Sequence, residues 1–381
     1  MATNSRPGSS ILRGNFRTGV FEVRELIALS ALLVVGFLFK AIPLLQYPRV
    51  GADPFLHYKY SMALLYGKLS VPVEAGSSGS TVDLYYPPLF HLISLGFFLA
   101  FPNVDPFAVM KILASAFSAF EAVPIFLVAK RVSGSNAGAL LASYSLLATR
   151  SDYEMLAWGG YANIAGLFFA ACLVYVVITD KAILSAFFSA ALAFTHHLST
   201  ILIIAVLVPY FSILIWRRRA IPRSLIGLFV GAVIAYVAFY QFALLSIFDY
   251  YTKYSPVYNQ SLYVTPYIVD QVGPLLLLSA VFALVFTYKH GGWQFIRDKK
   301  ILLIWAVVPV LLAYAYLFGV QWHGVRWIHF IPQPLAVLIG ISLSYLDKRR
   351  MILILLSLLF TIQLFLVVQA YHLDILKNLV Q

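Results

Sequence analysis

Apolar residues fill long stretches of this chain with few polar interruptions. The runs lie near 25 to 46, 106 to 131, 135 to 149, 160 to 179, 182 to 196, 198 to 216, 223 to 246, 266 to 288, 300 to 318, 327 to 346 and 350 to 370. A helix that crosses a bilayer needs about 20 mostly apolar residues, with about 17 to 25 common. The pattern therefore predicts an all-α, polytopic membrane protein of about eleven transmembrane helices, within a range of 10 to 13. One further run, PPLFHLISLGFFLAF at 87 to 101, is short, opens on two prolines and carries His91 near its start. It falls in the longest polar interval, 47 to 105.

Charge decides whether 87 to 101 crosses. If it does not, the N-terminal tail and the even-numbered turns share one side, which then holds 18 of the 27 basic residues. If it does, the KR, WRRRAIPR, KHGGWQFIRDKK and DKRR turns lie opposite the basic tail, against the positive-inside rule. The segment is therefore expected to be a juxtamembrane or re-entrant helix, with the N-terminus cytoplasmic and the protein multi-pass in the plasma membrane. The first apolar run is longer than a signal-peptide core and lacks a small-residue cleavage site, so it reads as a signal anchor. The organisation expected is a disordered cytoplasmic tail, 1–20, and one transmembrane domain, 21–381. That domain presents a first external loop at 47–105 with juxtamembrane helices and a second at 150–160. The composition, 61% apolar and 11% charged, with a mean hydropathy of +0.87, excludes an ordinary soluble domain. The net charge of +12 needs no nucleic acid, since topology and anionic headgroups account for it. Cys172 has no cysteine partner, which excludes an internal disulfide or a cysteine metal site.

With this topology the outer side receives seven of the eight histidines and most of the carboxylates. Four outer clusters carry candidate chemistry: GADPFLHYKY, RSDYEMLAWGG, FTHHLS and QWHGVRWIHF. Asp53 before Pro54 is a helix-start signal, so capping alone would explain it, although capping and catalysis are compatible. His57 follows one helical turn later, and Lys59 two residues beyond. Arg150, Asp152 and Glu154 suit either a solvated ion pair or a binding loop. His196 and His197 are interfacial polar residues or ligands of a substrate. His323 and Arg326 sit among tryptophans that also suit an aromatic belt. Glu121, in mid-span three residues before Pro124, is a functional acid or a neutral hydrogen-bonded structural one. The sequon at Asn259 to Ser261 marks a site where the chain itself would be glycosylated.

The order of these motifs resembles the GT-C superfamily of integral-membrane glycosyltransferases, and archaeal-like members in particular. The likeness rests on the D-P-x-x-H motif opening a long first loop, the following YYPPL segment, the span ending in VAKRVSGSNAGALLA, and the second loop RSDYE. It is clearest over 25 to 200, with WGGYANIAGLFF and FTHHLSTILI as further pieces. It implies transfer of a sugar from a polyprenyl- or dolichyl-phosphate-linked donor to a hydroxyl of a lipid, glycan or protein on the outer face. Direct inverting displacement would use Asp53 as base. His57, Lys59, Arg150, Asp152, Glu154, His196, His197, His323 and Arg326 would bind substrate, with Arg326 answering the leaving phosphate. A divalent cation, magnesium or manganese, would sit on Asp53, Asp152 and Glu154; the second loop has D-Y-E in place of D-x-D, which leaves that metal requirement open. Oligosaccharyltransferases of the superfamily add a soluble C-terminal domain, and this sequence stops at Gln381, soon after the final span, so that activity is expected only with a partner chain. Membrane lipids are the remaining partners. A transporter or flippase of lipid-linked substrates, or a noncatalytic subunit holding such a lipid, are the alternatives.

Overall fold

The computed structural model describes residues 22–51, 53–75, 80–254, 264–319, 324–345 and 349–379. The tail 1–20, the sequon at 259–261 and His323 lie outside the described residues. Chain order begins with α1 (Val23–Leu45), α2 (Asp53–Leu65), strands β1 (Ser70–Ala75) and β2 (Ser80–Tyr85), α3 (Leu89–Ala100), α4 (Pro106–Phe120) and α5 (Ala122–Ser133). Next come α6 (Asn136–Leu147), α7 (Ser151–Trp158), α8 (Tyr161–Ile178), α9 (Ala182–Thr195), α10 (His197–Arg218) and α11 (Arg223–Ala235). A π-helical turn at Tyr236–Tyr240 leads to α12 (Gln241–Tyr254), α13 (Val264–Val272), α14 (Pro274–Asp298) and α15 (Lys300–Ala313). A 3-10 segment at Gly324–Phe330 precedes α16 (Pro332–Ser342), and α17 (Arg349–Leu379) follows.

Every apolar run is helical, but length separates them. Among the described residues seven helices are long and apolar enough to cross a membrane, or eight if α13 and α14, bent by 89°, form one span. The expected count of eleven is not reached on length, because α9 and α15 have 14 residues each and α6 has 12. At about 1.5 Å per residue these are about 18 to 21 Å long, against a hydrocarbon core of about 30 Å. The same arithmetic keeps α3, with 12 residues, from crossing. The first loop also holds more than helices: β1 and β2 pair antiparallel, with Ser70 opposite Tyr85 and Val73 opposite Val82. SVPVEA and STVDLY alternate apolar and polar residues about a small polar tract, a short-period signal overshadowed by the helical runs around it.

Side-chain contacts sort the turns to two ends of the bundle. Lys130 Nζ meets Glu25 Oε2 at 2.7 Å, and Lys299 Nζ donates to the Val132 carbonyl, so the start of α1, the end of α5 and the α14–α15 turn share one end. At the other end the Gly51 N–H donates to the carbonyl of Asn378, near the end of α17. The centre is tied by Gln333, whose Nε2 donates to Glu121 Oε1 and to the Leu167 carbonyl, joining α4, α8 and α16. Glu121 is thus hydrogen-bonded and buried, 1% exposed. Large apolar side chains on α1, α11, α12 and α17 remain exposed, as lipid-facing surfaces do.

Candidate active site

Two glycines fix the entry to α2. Gly51 has φ +78° and Gly159 φ +95°, both in the left-handed region that favours glycine. A Cβ at Gly51 would strike the Trp158 carbonyl, and one at Gly159 would strike the Pro54 ring. The first loop therefore seats directly on the end of α7, with Asp53 at the contact. Its carboxylate makes no capping hydrogen bond among the described residues, so capping does not explain it. The second Asp–Pro pair behaves as a cap should: Phe107 N–H donates to Asp105 Oδ1 at 3.3 Å. Asp53 is partly buried. Burial raises its pKa above the ordinary carboxylate value, and the positive charge of Arg326 pulls it back down. The Arg326 guanidinium lies 5.3 Å from the centre of the Trp158 ring. Arg326 thus stands over the tryptophan whose carbonyl Gly51 abuts, near enough to Asp53 for its charge to act there.

Glu154 lies one turn before Trp158 on α7 and accepts from Trp158 Nε1 at 2.9 Å and from Tyr267 OH at 2.9 Å. His329 Nε2 stands 3.5 Å from Glu154 Oε2, while its Nδ1 is 2.9 Å from Ser151 Oγ. Burial pushes the Glu154 carboxyl up to about 7, and the Trp158 and Tyr267 hydrogen bonds hold it from rising further. Arg150 turns away from this group. It reaches Asp374 on α17 through Nη2 at 2.7 and 2.8 Å and Nε at 3.2 Å, and Asp270 on α13 through Nη1. Asp152 points inward to Lys40 Nζ at 3.0 Å and to the Ser118 hydroxyl.

Beside the Asp53 turn lies a set of buried histidines. His57 Nε2 is 3.1 Å from the Gly159 carbonyl, its Nδ1 is 2.9 Å from His91 Nε2, and His91 Nδ1 is 3.2 Å from the Pro87 carbonyl. Tyr86 packs on His57 and His91 and, on its far side, on His196 and His197 at 6.2 and 5.6 Å between ring centres. His196 also caps α10, accepting from the Ser199 N–H at 3.3 Å. Burial drives His57 down to about 4 and His91 well below the ordinary imidazole value.

Of the residues expected at a site, the fold gathers Asp53, His57, Glu154 and Arg326 around Trp158–Gly159, with His196 and His197 adjoining through Tyr86. Lys59 is exposed on the outside of α2. Asp152 and Arg150 are engaged elsewhere, by Lys40 and by Asp374 with Asp270. Asp53, Asp152 and Glu154 therefore do not form the expected metal set, and among the described residues no three His, Cys, Asp or Glu side chains gather to hold an ion. Trp158, Tyr267, His329, His91 and Lys40 are the participants that sequence reasoning missed. Trp158 had a signal, its i, i+4 spacing from Glu154, and Lys40 another, a charge inside an apolar run.

No protein-family profile matches the chain, and no curated protein matches it significantly. Solved structures do. ArnT from Cupriavidus metallidurans, in the apo state, superposes with a TM-score of 0.52 at 15% identity, covering 86% of this chain and 60% of its own. The archaeal oligosaccharyltransferase AglB from Archaeoglobus fulgidus, in complex with an inhibitory peptide and a dolichol-phosphate, superposes at 0.50 and 10% identity, covering 92% and 56%. This chain thus spans somewhat over half the length of either neighbour. Both neighbours are GT-C superfamily membrane glycosyltransferases. At these identities the likeness is one of architecture, and the architecture of this chain is the GT-C fold.

Proposed function

We propose that the chain is a GT-C type glycosyltransferase acting on a polyprenyl- or dolichyl-phosphate-linked sugar, with Asp53 as base and Arg326 as the cation that answers the leaving phosphate. The observation that carries this is the Asp53 carboxylate itself: among the described residues it makes no capping hydrogen bond, it sits at the junction of the two loops, and it has Arg326 as a charged neighbour. The dolichol-phosphate in the AglB complex supports the donor class, a lipid-linked phosphate.

In the reaction the acceptor oxygen forms a bond to the anomeric carbon as the bond from that carbon to the phosphate oxygen breaks. The acceptor proton passes to Asp53, and the electron pair leaves with the lipid phosphate. A phosphate leaving group needs charge stabilisation rather than a proton, which suits a guanidinium. A base with a raised pKa is well matched to that task near neutral pH. Glu154, held by Trp158 and Tyr267, offers hydrogen bonds to a sugar or acceptor hydroxyl. The set Asp53, Asp152 and Glu154 does not suit a divalent cation, because Asp152 is held by Lys40 and Ser118.

A second reading, translocation of the lipid-linked substrate, draws on the Lys40–Asp152 pair and the Glu121–Gln333 contact inside the bundle, since ionisable residues there often mark transport paths. Purified protein in vesicles, given radiolabelled polyprenyl-phosphate sugar, separates the two. Transfer or hydrolysis of the label is expected; movement of the intact lipid across the bilayer with neither would overturn the proposal.

A further inference from the structure

The His57–His91 contact has a proton count that two neutral imidazoles do not satisfy. A carbonyl oxygen only accepts, so the 3.1 Å contact to Gly159 places a proton on His57 Nε2, and the 3.2 Å contact to Pro87 places one on His91 Nδ1. A neutral imidazole has one N–H. Those two bonds therefore use both protons and leave two bare lone pairs, His57 Nδ1 and His91 Nε2, facing each other at 2.9 Å. Three consecutive contacts need three protons.

We infer that the His57–His91 pair carries one extra proton shared across its central contact, and that this buried cation positions Asp53 by holding α2 on Gly159. The inference rests on the proposed role of Asp53 only for its consequence in catalysis; the proton count stands without it.

Burial opposes the charge, driving His57 to about 4 and His91 well below its ordinary value. Two features act the other way. A charge-assisted N–H···N bond is about twice as strong as a neutral one, and the neutral pair would set one lone pair against another, either at the central contact or at a carbonyl, of which that of Gly159 keeps the Tyr161 N–H at 2.7 Å as a donor. The pair also lies among aromatic rings: Tyr86, Phe90 and Tyr161 have centres 5.7, 5.8 and 6.0 Å from His57, and Tyr60 lies 5.3 Å from His91. That is the distance at which a cation is attracted to a ring, about 6 Å. Among the described residues the titratable groups packed on the pair are Tyr60 from α2, Tyr86 ahead of α3 and Tyr161 from α8, with His196 and His197 beyond Tyr86. Loss of the shared proton leaves two protons for three contacts, so one tie fails. Where the failure is at Gly159, α2 loosens from the second loop and Asp53 with it.

The direct test is nitrogen NMR of protein labelled with 15N-histidine in lipid nanodiscs at pH 7, in wild type and in His91→Gln. In wild type the pair is expected to show two fully protonated outer nitrogens and a coupling across the central hydrogen bond, with shifts of a shared imidazolium. His91→Gln supplies a neutral amide donor to His57 Nδ1, and is expected to abolish that signal. In transfer assays the wild-type rate is expected to fall as rising pH removes the shared proton and the same variant to lose that fall, whereas a purely structural histidine would leave the pH profile unshifted. Two neutral rings at pH 7 in wild type, each with one bare nitrogen, would overturn the inference. Because that spectrum needs neither the variant nor turnover, it is read even if His91→Gln fails to fold or the protein transfers no sugar.

Discussion

Asp53 and Asp105 each precede a proline and a phenylalanine at the start of a helix, yet the fold uses them differently. The Asp105 carboxylate accepts from the backbone of α4, while among the described residues the Asp53 carboxylate makes no capping hydrogen bond and feels the charge of Arg326. The sequence alone could not separate them, because the helix-start signal is the same. Glu154 offers an independent check on this corner. Its pKa is raised from 4.5 to about 7, chiefly by burial. The protonated form is thus the one the fold favours: its contribution is full below pH 4.5 and is lost as pH rises through about 7. The loss is at most about 3 to 4 kcal/mol. Glu154→Gln, which stays neutral, is expected to flatten the fall in melting temperature between pH 4.5 and 8. A variant whose melting temperature follows the wild-type pH curve would contradict the burial assigned to Glu154.

At the scale of elements, the short α7 carries the second loop and is held from both flanks. Its preceding residue, Arg150, clamps the end of α17 through Asp374 and the bend at α13 through Asp270. Asp374→Asn is expected to cost about 1.5 to 3 kcal/mol of stability, the range for hydrogen bonds to charged groups, and to speed amide hydrogen exchange across α7. Unchanged exchange there would show that α7 is held by packing alone. Much of this level was legible beforehand. The apolar helices follow from what a bilayer demands of a backbone, and 87 to 101 was recognisable as too short. The β1–β2 hairpin was missed because six-residue strands give a weak periodic signal beside 20-residue apolar runs. The site was half legible. Asp53, Glu154 and Arg326 announce themselves as charges at the ends of apolar runs. Tyr267, His329, Asp270 and Asp374 come from distant segments, and no local pattern links them to the second loop.

Over the whole molecule, the contacts place Glu25, Lys130 and Lys299 at one end and Asp53, Glu154, Arg326 and Asp374 at the other. The positive-inside rule predicts that the first end faces the cytoplasm. Lys59 and Ile221 are exposed at opposite ends, and Cys172 is buried. In a Cys172→Ala background, Lys59→Cys is expected to react with a membrane-impermeant maleimide in intact cells, and Ile221→Cys only after permeabilisation. The reverse labelling would invert the orientation. Whether the Asp53 carboxylate is the base of a glycosyl transfer is tested by purified Asp53→Asn and Asp105→Asn proteins assayed with a radiolabelled polyprenyl-phosphate sugar. A positioned general base contributes about 10²- to 10⁴-fold in rate, and a lost cap costs about 1 kcal/mol of stability. Asp53→Asn is expected to keep the wild-type melting temperature and lose transfer by at least about a hundredfold, while Asp105→Asn melts earlier and still transfers. A folded Asp53→Asn protein that transfers sugar at the wild-type rate would contradict the claim.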